Sequence, residues 1–184
     1  MSADTGQVAS RRVYAGRIVS LDVDTVRFPN GSTGELEMVR HPGASAVVPF
    51  LDDPSDEDPR VLLIRQYRYA AGGHVYEIPA GRLDAGEAPE VCAGRELREE
   101  TGYTAEILEP LTTFYTTPGF TDERIHLFMA SGLTAGISQL ESDEIVELQP
   151  MRISTALRMV DSGKIVDGKT IVGLLFVSLF CRGG

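Results

Sequence analysis

The stretch Gly81–Tyr103 reads GRLDAGEAPEVCAGRELREETGY, and it carries both the organising helix of the fold and most of the chemistry. Its second half favours a helix from about Pro89 to Thr101, with Pro89 suited to the first turn and Gly102 to the position just past the end. Val91, Gly94, Leu97 and Arg98 recur at i, i+3, i+4 spacing, so that side is expected to pack. Glu96 and Glu100 stand one turn apart on a common face, and Glu99 neighbours both. Like charges so placed destabilise a helix unless a cation joins them. A cluster of carboxylate oxygens with no His or Cys nearby suits a hard cation, Mg²⁺ or Mn²⁺. Arg95 lies one turn before Glu99 and can orient its carboxylate. The competing reading is a solvated acidic helix laced with ion pairs. The fixed spacing and the bracketing glycines favour the metal.

The rest of the 184-residue chain is compatible with one domain that has an ordinary core, with 42% hydrophobic and 24% charged residues. A net charge of −10 argues against a nucleic-acid surface, because phosphate binding needs a positive field. The negative charge is spread over DDPSDED (52–58), the 81–103 stretch and LESDE (140–144). Cys92 and Cys181 have no partner at zinc-ligand spacing and read as inert, buried or half-buried thiols. The N-terminal MSADTGQVASRR lacks an apolar signal core, and IVGLLFVSLF (171–180) is too short to span a bilayer. The expectation is a cytoplasmic protein with no membrane or nucleic-acid partner.

Residues 1–12 are expected to be disordered. VYAGRIVSLDVDTVRF (13–28) alternates as two short strands, PNGSTG (29–34) is a hairpin turn on Asn30-Gly31, and ELEMVRH (35–41) returns. Further strands are expected at 45–51, 61–69, 74–81, 106–119, 124–133 and 144–151. A helix with Ser154 as N-cap follows at 154–164, and a final core helix at 169–182. Strands with one helix in the middle and two at the end make an α/β sandwich.

The fixed points of the 81–103 stretch are Gly81, Glu87, Arg95, Glu96, Leu97, Glu99, Glu100, Gly102 and Tyr103. At every position this resembles the Nudix box, with chance odds on the order of one in a billion per starting position, so an accidental match is set aside. The resemblance implies an α/β/α sandwich with a mixed sheet over 42–184, preceded by a short antiparallel strand region at 13–41. It also implies hydrolysis of a diphosphate bond by metal-activated water.

LLIRQYRYAAGGHVYEIPAGRLDAGE and TTPGFTDERIHLFMA resemble ADP-ribose pyrophosphatases within that family, including Pro118 placed sixteen residues after Gly102. The likeness covers about residues 13 to 182. It implies Mg²⁺-dependent cleavage of ADP-ribose to AMP and ribose 5-phosphate. Another nucleotide sugar (GDP-mannose or ADP-glucose) and a non-catalytic nucleotide-sugar sensor stand as alternatives. Carried over by position, Glu96, Glu100, Glu99 and the backbone carbonyl of Ala80 would bind metal, with Glu87 and Arg95 as supports. The proton acceptor would come from the loop offering Glu141, Asp143 and Glu144, with Glu144 preferred over Glu141 and Glu99 a further candidate. Substrate would meet Arg40 and Arg68 through forked donors, Glu37, Glu123 and the Pro118 loop, with adenine on Tyr14, Phe28 or Tyr67. His126 reads as a satisfied sheet histidine. The strands at 13–41 would cross to a second subunit in a two-fold dimer.

Overall fold

The strand signals of the first forty residues resolve into an antiparallel meander of β1 (Gly6–Ala15), β2 (Ser20–Arg27) and β3 (Thr33–Arg40) in the computed structural model, which describes residues 5–138 and 146–181. The sequence expectation of disorder over 1–12 gives way from Gly6 onward. Ala9, Ser10, Arg11 and Arg12 are in register with β2, so backbone pairing overrides a composition that is small and polar. The β2–β3 turn is the expected one. Gly31 adopts φ 84°, its N–H donates to the Phe28 carbonyl, and the Asn30 side chain accepts from the Ser32 N–H. These strands form one compact unit together with Tyr115–Arg124, a segment whose membership nothing in the sequence announced.

The second unit holds β4 (Ala44–Pro49), β5 (Arg60–Arg68), β6 (Gly73–Glu77), β7 (Ala80–Arg82), α1 (Pro89–Thr101), β8 (Tyr103–Tyr115), β9 (Arg124–Ala135), β10 (Val146–Arg152), α2 (Ile153–Asp161) and α3 (Gly168–Phe176). β7, β4, β9 and β8 form a mixed sheet, with β4 parallel to β9 and antiparallel to β7. β10, β5 and β6 form a second, antiparallel sheet.

Both faces of the central pair are covered, and alternation shows how. Val47, Phe128 and Ala130 pack with Ala93 and Leu97 of α1, whereas Ala46, Val48, Leu127 and Met129 join a core with Ile153, Ala156 and Leu174 of α2 and α3. Two-sided burial is why 46–50 reads as an unbroken apolar run with no polar face. Burying a side chain such as Leu97 contributes about 2 kcal/mol.

Four expectations are corrected here. The strand expected at 74–81 breaks at Ile78-Pro79, because Pro79 cannot donate to a ladder. The packing side of α1 is Cys92, Ala93, Leu97, Glu100 and Thr101, while Val91 is exposed. Ser154 does not cap α2. Arg152 holds that position, and the Asp58 carboxylate accepts from both the Ser154 N–H (3.0 Å) and its hydroxyl (2.9 Å). The C-terminal helix is buried only along Thr170, Gly173, Leu174 and Val177, and it ends in a wide turn over Val177–Cys181 that leaves Leu179, Phe180 and Cys181 exposed. None of the described helices is long and apolar enough to cross a membrane.

Candidate active site

The helix α1 begins and ends where its sequence directs. Pro89 takes the first position, and Gly102 closes the helix at φ 78° with its N–H on the Arg98 carbonyl. The buried Ser45 hydroxyl donates to the Pro89 carbonyl at 2.7 Å and fixes the helix start against β4. The acidic face then lies against the Ala80-Gly81 backbone of β7. Glu100 is 3% exposed, and its carboxylate accepts from the Ala80 N–H at 2.9 Å. Glu96 packs directly on Gly81, where any Cβ would overlap its carboxylate. Only glycine permits that approach.

Arg95 organises the acids around it. Its Nε and Nη2 donate to the two Glu87 oxygens at 2.9 and 3.0 Å, and Nη2 also reaches the Arg82 carbonyl at 3.1 Å. Its Nη1 donates to Glu96 at 2.7 Å and to Glu99 at 3.0 Å. The guanidinium, helped by the Asp84 N–H, holds the Glu87 carboxyl down to about 2. These bonds also raise the Arg95 pKa well above its ordinary value, Glu87 first among them. Burial pushes the Cys92 thiol up to about 11, so that residue is an inert core thiol.

A helix of paired carboxylates on a glycine-bounded backbone, beneath a sheet covered on both faces, is matched by known proteins. Residues 40–170 fit the family profile described as NUDIX domain. The chain belongs to the Nudix family. It is 38% identical over 180 residues to the ADP-ribose pyrophosphatase of Bacillus subtilis (strain 168), covering 97% of this chain and 95% of that one. It is 40% identical over 174 residues to the methanol dehydrogenase activator of Bacillus methanolicus, covering 94% and 91%. The crystal structure of an ADP compounds hydrolase superposes with a TM-score of 0.80 at 19% identity, covering 97% of this chain and 94% of that one, which is a likeness of fold. This Nudix protein is a hydrolase.

Among the described residues no three His, Cys, Asp or Glu side chains converge closely enough to hold a metal ion by themselves. The reason is visible in the Nudix helix, where the Arg95 guanidinium sits between Glu96 and Glu99. The donor set still fits Mg²⁺. That ion keeps several waters and takes one or two carboxylates, leaving positions for substrate phosphates. Glu96 and Glu100 beside the Ala80-Gly81 backbone could supply such a set, with oxygen as the only donor.

The substrate-contact expectations fare differently. Arg68 is not a free fork. Its Nε and Nη2 donate to Glu77 at 2.7 and 3.0 Å, and Glu77 is 2% exposed. His126 shares a hydrogen bond of 3.0 Å with Thr113, as expected of a sheet histidine. Tyr67 stands half exposed against the His74 ring. Glu141, Asp143 and Glu144 lie outside the described residues.

In the first unit, Arg40 is committed to three carboxylates: Asp22 at 3.2 Å, Asp24, and Asp122 at 3.1 Å. The sequence reading missed this clamp, although two aspartates alternating with Leu21 and Val23 in a half-buried strand signal an internal cation. Asp122 also accepts from the His41 N–H at 2.9 Å, so the Pro118 loop is tied to the end of β3. Glu123 accepts from the Thr116 hydroxyl at 2.8 Å and lies 3.3 Å from His41. Glu37, Pro118 and Tyr14 are exposed, and Phe28 is half-buried. Val39, His41, Thr117, Phe120 and Glu123 line a pocket of about 370 Å³.

The clamp predicts acid sensitivity. Arg12 holds Asp22 below its usual range, and the Ser10 hydroxyl followed by Arg40 does so for Asp24, in both cases against the effect of burial. A depressed folded pKa stabilises above the unfolded value, about 4 for an aspartate, and that stability is lost as pH falls through the folded value. The protection of the β2–β3 amides, measured relative to intrinsic exchange at each pH, should therefore fall below about pH 4, with a shallower dependence in Asp24→Asn.

Proposed function

We propose that this Nudix hydrolase cleaves the diphosphate bond of ADP-ribose, with Mg²⁺, to AMP and ribose 5-phosphate. The observation that carries the reading is the pair Glu96 and Glu100 set against the Ala80-Gly81 backbone. The name of the Bacillus subtilis relative, which this chain matches over nearly its whole length, supports ADP-ribose as the substrate. When bound, Mg²⁺ supplies charge neutralisation on the diphosphate and a water acidic enough to attack phosphorus. Glu96, Glu100 and the Ala80 carbonyl would hold it, while Arg95 binds the Glu96 and Glu99 carboxylates and would orient them. Gly81 leaves the Glu96 carboxylate room at the backbone.

A two-fold dimer belongs to this reading. All ten residues of β1 are exposed, among them Val8, Val13 and Tyr14, which supports a second subunit covering that sheet. Cys92 and Cys181 are free thiols, which supports a reducing, cytoplasmic setting.

The test is hydrolysis of a panel of nucleotide sugars with the purified chain, Mg²⁺ and product identification. ADP-ribose should be cleaved with the highest kcat/KM and yield AMP. Preference for GDP-mannose or ADP-glucose would keep the chemistry and replace the substrate, and no cleavage of any member would refute the reading. The proton acceptor in this reading comes from residues 140–144. Glu144→Gln should lower kcat more than a few fold while KM and Mg²⁺ affinity stay near wild type, with Glu141→Gln as the paired control. If neither variant slows turnover, the water needs no acceptor from that loop.

A further inference from the structure

The corner that carries Ala80 is held by a helix distant in sequence from the Nudix box. Between β6 and β7 the chain leaves one sheet and enters the other through Ile78-Pro79. Three backbone groups at this corner have partners on three different elements. The Ile78 N–H donates to the Thr170 hydroxyl of α3 at 2.8 Å. The Pro79 carbonyl accepts from the Val47 N–H of β4 at 2.9 Å. The Ala80 N–H donates to Glu100 of α1 at 2.9 Å. Ile78 and Thr170 are both fully buried, so water cannot replace their bond.

The Thr170 hydroxyl is itself fixed. It donates to Asp167 at 2.6 Å, and the same carboxylate caps α3 by accepting the Thr170 N–H at 3.0 Å. The adjacent Lys169 reaches from Asp167 to Glu77, the residue before Ile78, which Arg68 also holds. Burial works against the Glu77 charge, and the bonds from Arg68 and Lys169 outweigh it, so its carboxyl is held below the ordinary range. Two neighbouring residues of α3 thus grip two neighbouring residues of the corner. Three elements converge on the backbone atoms that precede the Nudix helix.

We infer that Thr170 is a positioning residue for the metal site, acting through Ile78 to hold the Ala80 carbonyl in line with Glu96 and Glu100. The inference rests on the proposed metal-binding role of that carbonyl and assigns its orientation to a residue ninety-two positions away from Ile78. Thr170→Val keeps the shape and removes the hydroxyl, which leaves the buried Ile78 N–H without its acceptor and frees the corner to shift. Partners that orient metal ligands are worth tenfold to a hundredfold in affinity.

The test uses the full chain without substrate. Mn²⁺ binding followed by electron paramagnetic resonance should weaken about tenfold in Thr170→Val and return to near wild type in Thr170→Ser. Amide exchange at Ile78 and Ala80 should accelerate in the valine variant only. Leu174→Ala, which opens a cavity in the same helix but removes none of the hydrogen bonds at the corner, should lower Tm at least as much while leaving Mn²⁺ affinity unchanged. Wild-type affinity in Thr170→Val, or an equal loss in Leu174→Ala, overturns the positioning role. Failure of the wild-type chain to bind Mn²⁺ overturns the metal site itself, and the inference falls with it.

Discussion

Glu100→Gln is expected to lower kcat for ADP-ribose a hundredfold or more while leaving Tm close to wild type. The glutamine oxygen can still accept the Ala80 N–H, which the carboxylate does at 2.9 Å, so the corner and the packing of α1 survive. What disappears is a negative charge buried at 3% exposure beside the backbone that would share the metal. A buried carboxylate of that kind persists only where something offsets its desolvation, to which the Ala80 N–H contributes. A bound cation would offset much more, so the variant separates the two explanations. If Glu100 serves packing alone, the isosteric amide should be silent in turnover. If it serves the metal, Mg²⁺ titration should show a large rise in the concentration needed for half-maximal rate, together with the fall in kcat. Near wild-type turnover at saturating Mg²⁺ sinks the assignment.

The α1 boundaries were legible because two backbone-specific residues mark them, Pro89 at the start and Gly102 at the end. The paired strands β4 and β9 were legible because burial on both faces leaves no polar alternation to misread. What local pattern misses is long-range pairing. Ser154 has the chemistry of a cap, yet Asp58 satisfies the helix start from another loop, and no local pattern reveals that. Arg40 and Arg68 have the chemistry of phosphate ligands, yet each is neutralised by carboxylates brought in by strand register, Asp22 and Asp24 in one case and Glu77 in the other. Glu77 was the readable hint, since an acid alternating with Val75 on a buried strand must meet a cation. The role of Thr170 was not readable at all, because its partner is a backbone N–H exposed only where a proline breaks a strand.

Arg95→Met should be the most damaging single change to the Nudix helix, because it removes one cation from three carboxylates at once. Glu87 loses a bidentate pair, and Glu96 and Glu99 lose the donor that lies between them. With side-chain exposures of 23% for Arg95 and 10% for Glu87, the pair is shielded enough for its loss to matter, though short of a fully buried pair. A destabilisation of about 2 kcal/mol follows, read as a drop in Tm of roughly 4–8 °C for a domain of this size. Activity should fall further than stability explains, by a hundredfold or more, because Glu96 and Glu99 would repel each other. Arg95→Lys should recover little, since an ammonium cannot serve Glu87 with a fork and still reach the other two acids. The pH profile supplies an independent check. The Glu87 carboxyl sits at about 2 in the folded chain against an ordinary 4.5, so its contribution is complete above about pH 4.5 and drains away as pH falls toward 2. Tm against pH should therefore be flatter below about pH 4.5 in Arg95→Met than in wild type, because the variant has already lost what acid would remove. Parallel acid limbs in the two proteins would show that Arg95 and Glu87 are not the coupled pair the geometry describes, and a variant that melts like wild type would remove Arg95 from the support of the site altogether.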